Sequence, residues 1–219
     1  NADKKGTDTY VFEADGETVT LNFVSDPGPP RLILRGTVTF IEKGHTGSAG
    51  TTSDDQIKVV CATNSVWAVK FPSRGGGEIV RQELSKSENA TVEGGGTTVI
   101  PTFKTVTWKW RPSSERGGYV LGLEIGKAPN GELTGHVYVG DPMTWAESSL
   151  RDLPEDEARF AFPLVAKPFL TEEFKQQLTF RIPKGAKAAS GSAVLDIRDD
   201  HNRRSGTLSV QYEVTLVGR

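Results

Sequence analysis

Short runs of alternating apolar and polar residues fill most of this chain, separated by glycine, proline, asparagine and aspartate. Alternation with a period of two predicts strands with one buried face, because successive side chains leave a strand on opposite sides. The run Thr9-Tyr10-Val11-Phe12-Glu13 meets Ala14-Asp15-Gly16 and returns as Thr18-Val19-Thr20-Leu21-Asn22-Phe23. The Asp-Gly step supplies residues tolerant of positive φ, so residues 10–23 read as a hairpin. Asp26-Pro27-Gly28-Pro29-Pro30 breaks the chain, a long strand follows over 32–41, and a polar loop is predicted over 44–55. Further strands are predicted over 57–62, 66–71, 79–84, 103–111, 119–125, 133–139, 159–165, 178–182, 193–197 and 207–216. Helix is predicted only over 142–150, where Asp141 precedes an early Pro142, and in the polar turn 171–176.

About a dozen short strands with almost no helix predict an all-β fold, an antiparallel sandwich or barrel. The 24 glycines and 12 prolines read as the turns of such a fold. Over 219 residues there is no internal repeat and no convincing linker. Gly94-Gly95-Gly96, closing the polar stretch 85–97, is the best boundary candidate; a surface loop inside one large sandwich is the preferred reading.

Charge and composition narrow the function classes. Lys and Arg number 26 against 28 Asp and Glu, a formal charge of −2. That balance argues against a highly basic nucleic-acid binder and against an acidic disordered tail. A single cysteine, Cys61, excludes a disulfide framework and a cysteine-rich zinc site. No apolar stretch approaches the roughly eighteen residues of a membrane helix. The chain begins at Asn1 and its one methionine is Met143, so the start reads as processed, trimmed or the first ordered part of something longer.

Tests for chemistry mostly return the plain structural reading. His45, His136 and His201 are far apart in sequence and show no metal-ligand spacing. His136 lies in a strand, where a buried or lateral structural role is preferred, while His45 and His201 fall in polar segments and read as exposed. Gly47-Ser48-Ala49-Gly50 and Ser190-Gly191-Ser192 read as loops and lack the Gly-x-Ser-x-Gly pattern of a nucleophile elbow. The triplets Gly75-Gly76-Gly77 and Gly94-Gly95-Gly96 lack the Lys-Ser/Thr of a phosphate loop. Two acidic clusters, Asp152, Glu155, Asp156 and Glu157, then Asp196, Asp199 and Asp200, read as solvated surface, with a subunit contact or calcium bridge as the sharper alternative. Trp108 and Trp110 share one face of a strand; core is preferred over a stacking platform for sugars or bases, because the opposite face is polar and charged. Asn89-Ala90-Thr91 is a glycosylation sequon, which by itself permits a secreted protein.

One ordered pattern is more specific. Phe103-Lys104-Thr105-Val106-Thr107-Trp108-Lys109-Trp110-Arg111-Pro112 is a strand ending in proline, followed by a polar turn and the strand Tyr119-Val120-Leu121-Gly122-Leu123-Glu124-Ile125-Gly126. Asp141-Pro142 opens the predicted helical piece, and the chain closes with Gly206-Thr207-Leu208-Ser209-Val210-Gln211-Tyr212-Glu213-Val214-Thr215-Leu216. From residue 103 to 216 this order resembles the eight-stranded jelly-roll shell domain of coat proteins from small icosahedral positive-strand RNA viruses, especially plant viruses. It is a pattern of strand and turn types, not an invariant motif.

The resemblance implies a single jelly-roll shell domain over 9–219, with extra N-terminal strands and one or two short helices, and residues 1–8 as the stump of an N-terminal arm. It implies a structural, non-enzymatic coat subunit that assembles with copies of itself around viral RNA, in the host cytoplasm and then in the virion, with no membrane and no catalytic residue. In such coats RNA is often neutralised by a basic N-terminal arm. Here only Lys4 and Lys5 stand where that arm would begin, so they are the candidate nucleic-acid contacts; the Arg/Lys-rich arm itself is not in this chain. No cofactor is implied; calcium often bridges subunits of such shells, and no residue here is assigned to it. Two other readings stay open: a secreted or surface β-sandwich binding carbohydrate or protein, and an enzyme on a β-sandwich scaffold.

Overall fold

A computed structural model describes residues 7–14, 17–24, 30–48, 50–71, 78–85, 89–112, 120–126, 132–140, 146–148, 170–198 and 203–218. Strands β1 (Thr7–Ala14) and β2 (Glu17–Val24) pair antiparallel as a separate ribbon, as the hairpin reading expects. Next come β3 (Arg31–Ser48) and β4 (Thr51–Lys70), a long hairpin whose register runs unbroken from Arg31 opposite Ala68 to Ser48 opposite Thr51. Gly50, at φ +85°, turns it. β5 (Glu78–Ser85) and β6 (Asn89–Val99) share the far edge of β4 end to end. β7 (Thr105–Pro112) pairs with β6.

The chain then forms β8 (Leu121–Gly126), β9 (Leu133–Val139) and β10 (Ala146–Ser148). After these come the short helix α1 (Glu172–Gln177), β11 (Thr179–Ile182), β12 (Ala188–Arg198) and β13 (Arg204–Val217). The large sheet has the order β10-β7-β6-β4-β3-β13-β12, with β5 also on β4, and the small sheet is β11-β9-β8. All pairings are antiparallel. The protein is an all-β antiparallel sandwich, as the alternation predicts.

The strand order adds detail. β13 returns from the end of the chain to lie beside β3, the first strand of the large sheet. The hairpins β3–β4, β6–β7, β8–β9 and β12–β13 each stay within one sheet, and among the described residues the chain changes between the large and small sheets four times, after β7, β9, β10 and β11. An ideal eight-stranded jelly roll changes sheets more often, and short hairpin turns account for the difference: they place sequence neighbours side by side.

Parity decides the core. Even residues of β3 and β13 and odd residues of β4 point inward: Leu32, Leu34, Val38 and Phe40; Leu208, Val210, Val214 and Leu216; Ile57, Val59, Cys61 and Trp67. The small sheet brings Leu121, Leu123, Leu133, Val137, Phe180 and Ile182 into the same cluster. Helix α1 adds Phe174 and is followed by buried Leu178; Thr171 caps its start, accepting from the Phe174 amide at 3.2 Å. That short helix is the one foreseen at the polar turn. Tyr212 ties the layers together, its hydroxyl donating to the Thr179 carbonyl at 2.8 Å.

Trp108 and Trp110 are core, 2% and 9% exposed, meeting edge to face with centroids 5.2 Å apart. The Trp108 indole donates to Thr98 Oγ1 at 3.1 Å, which also bonds Ser53 Oγ at 3.0 Å.

Several expectations are corrected. The polar loop over 44–55 is the paired end of β3 and β4, because its cross-strand partners are hydrogen-bonded whatever their polarity. Gly94-Gly95-Gly96 lies inside β6, opposite Ile57, Gln56 and Asp55, and is not a loop. Of the predicted helix over 142–150, residues 146–148 are strand β10 on β7; the rest lies outside the described residues, as does the predicted strand 159–165.

Among the described residues the glycines lie mainly in strands rather than turns. A Cβ at Gly96 would meet the Trp108 ring at 2.6 Å, at Gly191 the Tyr212 ring at 2.6 Å, and at Gly135 the Phe180 ring at 2.7 Å. Each is a strand position emptied to seat a neighbour's ring. Trp108→Ala should therefore empty a large buried site and cost about 3–5 kcal/mol in urea unfolding; a loss below about 1 kcal/mol would contradict its place in the core.

Candidate functional site

Two places in the described residues concentrate polar chemistry. The first is an open depression of about 750 Å³ on the outer face of the large sheet. Gly36, Gly191 and the Tyr212 backbone lie at its floor; Arg35, Asn64, Gln211 and Ser192 are among the exposed side chains around it. The register builds it. Ser190, Glu213, Arg35 and Asn64 stand opposite one another on four neighbouring strands, and Ser192, Gln211 and Thr37 form the next row. Both rows carry the parity that faces away from the core. Hydroxyls, amides, one guanidinium and one carboxylate can exchange hydrogen bonds with a hydroxylated or amide-bearing ligand.

The second place is sealed. Arg204, Glu42 and Asp55 lie at core parity on β13, β3 and β4, exposed by 4%, 1% and 2%. Arg204 Nη1 donates to Glu42 Oε1 at 2.8 Å and to Asp55 Oδ2 at 3.1 Å. Gly44, opposite Arg204 on β3, leaves room for it: a Cβ there would stand 2.6 Å from Arg204 Cγ. Asp55 Oδ1 and Arg204 Nη2 are buried without a hydrogen-bond partner among the described residues. Burial pushes the Asp55 carboxyl above its ordinary value, with Arg204 pulling it back down. Removed from solvent, this cluster holds strands in place and offers no reacting group to a substrate. Breaking such a pair is strongly destabilising, about 3–5 kcal/mol, because a buried charge is left uncompensated.

The residues singled out in the sequence do not converge. Lys4, Lys5, His201, Asp152, Glu155, Asp156, Glu157, Asp199 and Asp200 lie outside the described residues. His45 is exposed on β3, not in a loop, with Nδ1 2.5 Å from Asp54 Oδ1. His136 is exposed on β9, opposite Glu124 and Thr179, so of the buried or lateral structural roles preferred for it the buried one does not hold. Asp196 is exposed on β12. Ser190-Gly191-Ser192, read as a loop, lies within β12, where eleven residues pair with β13. The sequon residue Asn89 begins β6. No group of three or more His, Cys, Asp or Glu able to hold a metal occurs among the described residues, and none of their helices is long and apolar enough to cross a membrane.

Sequence reasoning missed the Arg204 cluster although its signal was present. Glu42 sits at the parity of Leu34 and Phe40, Asp55 at that of Ile57, and Arg204 at that of Leu208. Three charges on core parity in three strands point to one buried site. The chain matches no protein-family model, no curated protein and no solved structure.

The raised Asp55 carboxyl has a pH consequence. The folded protein keeps this proton where the unfolded chain, near 3.8, has released it. The stability it contributes is full below the unfolded value and is lost as pH rises through the folded one. Wild type should therefore lose stability relative to Asp55→Asn over that window, read from urea midpoints across a pH series. A difference that stays constant with pH would refute the assignment.

Proposed function

We propose that this chain is a structural shell subunit, a viral coat protein that assembles with copies of itself around RNA. The observation that carries the reading is the place of the closing strand. The segment 206–216, on which the resemblance to jelly-roll coats rests most firmly, belongs to an interior strand, paired with β3 on one side and β12 on the other. A broad sheet with a hydroxyl-rich outer face suits a wall whose sides meet copies of itself. The near-neutral charge of −2 suits a wall rather than an RNA-neutralising arm. Lys4 and Lys5 remain the nucleic-acid contacts within this segment, alongside a basic arm outside it. In this reading the protein acts in the virion, is not an enzyme and needs no cofactor.

Purified protein carrying the natural N-terminal region should form closed particles in negative-stain micrographs and shield RNA from nuclease. A monomer at high concentration, with RNA present and across assembly conditions, would overturn the reading.

The outer-face depression favours a second reading, a binding module for a hydroxylated ligand such as a carbohydrate. Its hydrogen-bonding rows support this; the tryptophans do not, since both are core. Glycan-array signal lost in Asn64→Ala or Gln211→Ala without loss of folding is the outcome this reading expects, and no signal from the wild type would dismiss it.

A further inference from the structure

The free edge of β12 differs from a protected sheet edge. It ends the large sheet, and among the described residues no strand pairs with its outer side. Soluble proteins blunt such edges with charges, prolines or bulges. β12 has none of these from Ala188 to Leu195, a run Ala-Ala-Ser-Gly-Ser-Ala-Val-Leu whose register with β13 is unbroken. Val194, in this run, is 59% exposed.

The ladder shows which groups face outward. Leu216 N donates to the Lys187 carbonyl at 2.7 Å, in line with the β12–β13 register. Bonded positions alternate in an antiparallel pair, so Ala189, Gly191, Ala193 and Leu195 bond to β13. Ser190, Ser192 and Val194 therefore turn their N–H and C=O groups to the open side. Helix α1 and β11 lie near β12, but none of their backbone groups bonds to that edge.

We propose that this edge pairs antiparallel with the same edge of a second copy of the chain, across a two-fold axis near Gly191 and Ser192. The contact rests on the self-assembly reading above and gives it a specific surface. A two-fold pairing is self-complementary, since each copy supplies the same outward donors and acceptors. The run itself carries no charge. Lys187 precedes it, and Asp196 and Arg198 follow it, so antiparallel pairing brings the Lys187 end of one copy beside one carboxylate and one guanidinium of the other, with no net opposition of charge. The two large sheets then continue through the interface as one.

Sedimentation velocity of the full chain over a concentration series tests this, on wild type, Ser192→Pro and Val194→Lys. Proline at 192 removes an outward donor and none of the bonds to β13; lysine at 194 puts a charge into the neutral run on each side of the axis. Both variants should keep the wild-type melting temperature and weaken association by about tenfold or more. If both associate like wild type, the edge pairing is wrong and the shell reading stands. If wild type itself stays monomeric throughout, both fall. Should Ser192→Pro fail to fold, Val194→Lys decides alone.

Discussion

The position of β3, pinned along both edges, is the constraint on which the rest of the structure depends. It pairs with β4 from Arg31 to Ser48 and with β13 from Val217 to Arg204. Side chains alternate with a period of two, so a slip of one residue at either edge would turn Leu32, Leu34, Val38 and Phe40 to solvent. β13 lies far from β3 in sequence, which makes their pairing the main long-range closure of the chain. The inner core and the outer polar rows are two consequences of the same register.

Packing on the inner face is managed by emptying positions. Gly96 seats Trp108, Gly191 seats Tyr212, Gly135 seats Phe180 and Gly44 seats Arg204. Large rings and one guanidinium span the space that a second side chain would otherwise take. The Arg204–Glu42–Asp55 cluster extends the arrangement to charge. Its net energetic value is small when it is complete and large when it is broken, so it acts chiefly against misregistered pairings in which a buried carboxylate would lose its cation.

Much of this was legible in the chain. Alternation over 32–41 and 207–216 located β3 and β13, Asp15-Gly16 marked the first hairpin, and the shared parity of Trp108 and Trp110 marked them as core. The failures have a common physical origin. Residues 44–55, Gly94-Gly95-Gly96 and Ser190-Gly191-Ser192 are polar or small, and polarity was taken as loop. In each case the strand is held by backbone bonds to a partner whose identity depends on tertiary pairing. Glycine in those strands answers to a neighbouring side chain, which no local window contains. The same limit hid the charged cluster, whose three members lie on separate strands.

Two features of one sheet belong together: an interior closing strand of coat-like pattern and, beside it, an edge that no described strand pairs with and that carries no charge from Ala188 to Leu195. Both depend on β12 pairing with β13 in the observed register. Amide hydrogen exchange along β12, followed against protein concentration, tests that joint claim most directly. Ala189, Gly191 and Ala193 should be protected at every concentration, while Ser190, Ser192 and Val194 gain protection only as copies associate. Rapid exchange at Ser190, Ser192 and Val194 in the associated protein, or equal protection of both sets in the monomer, would contradict it.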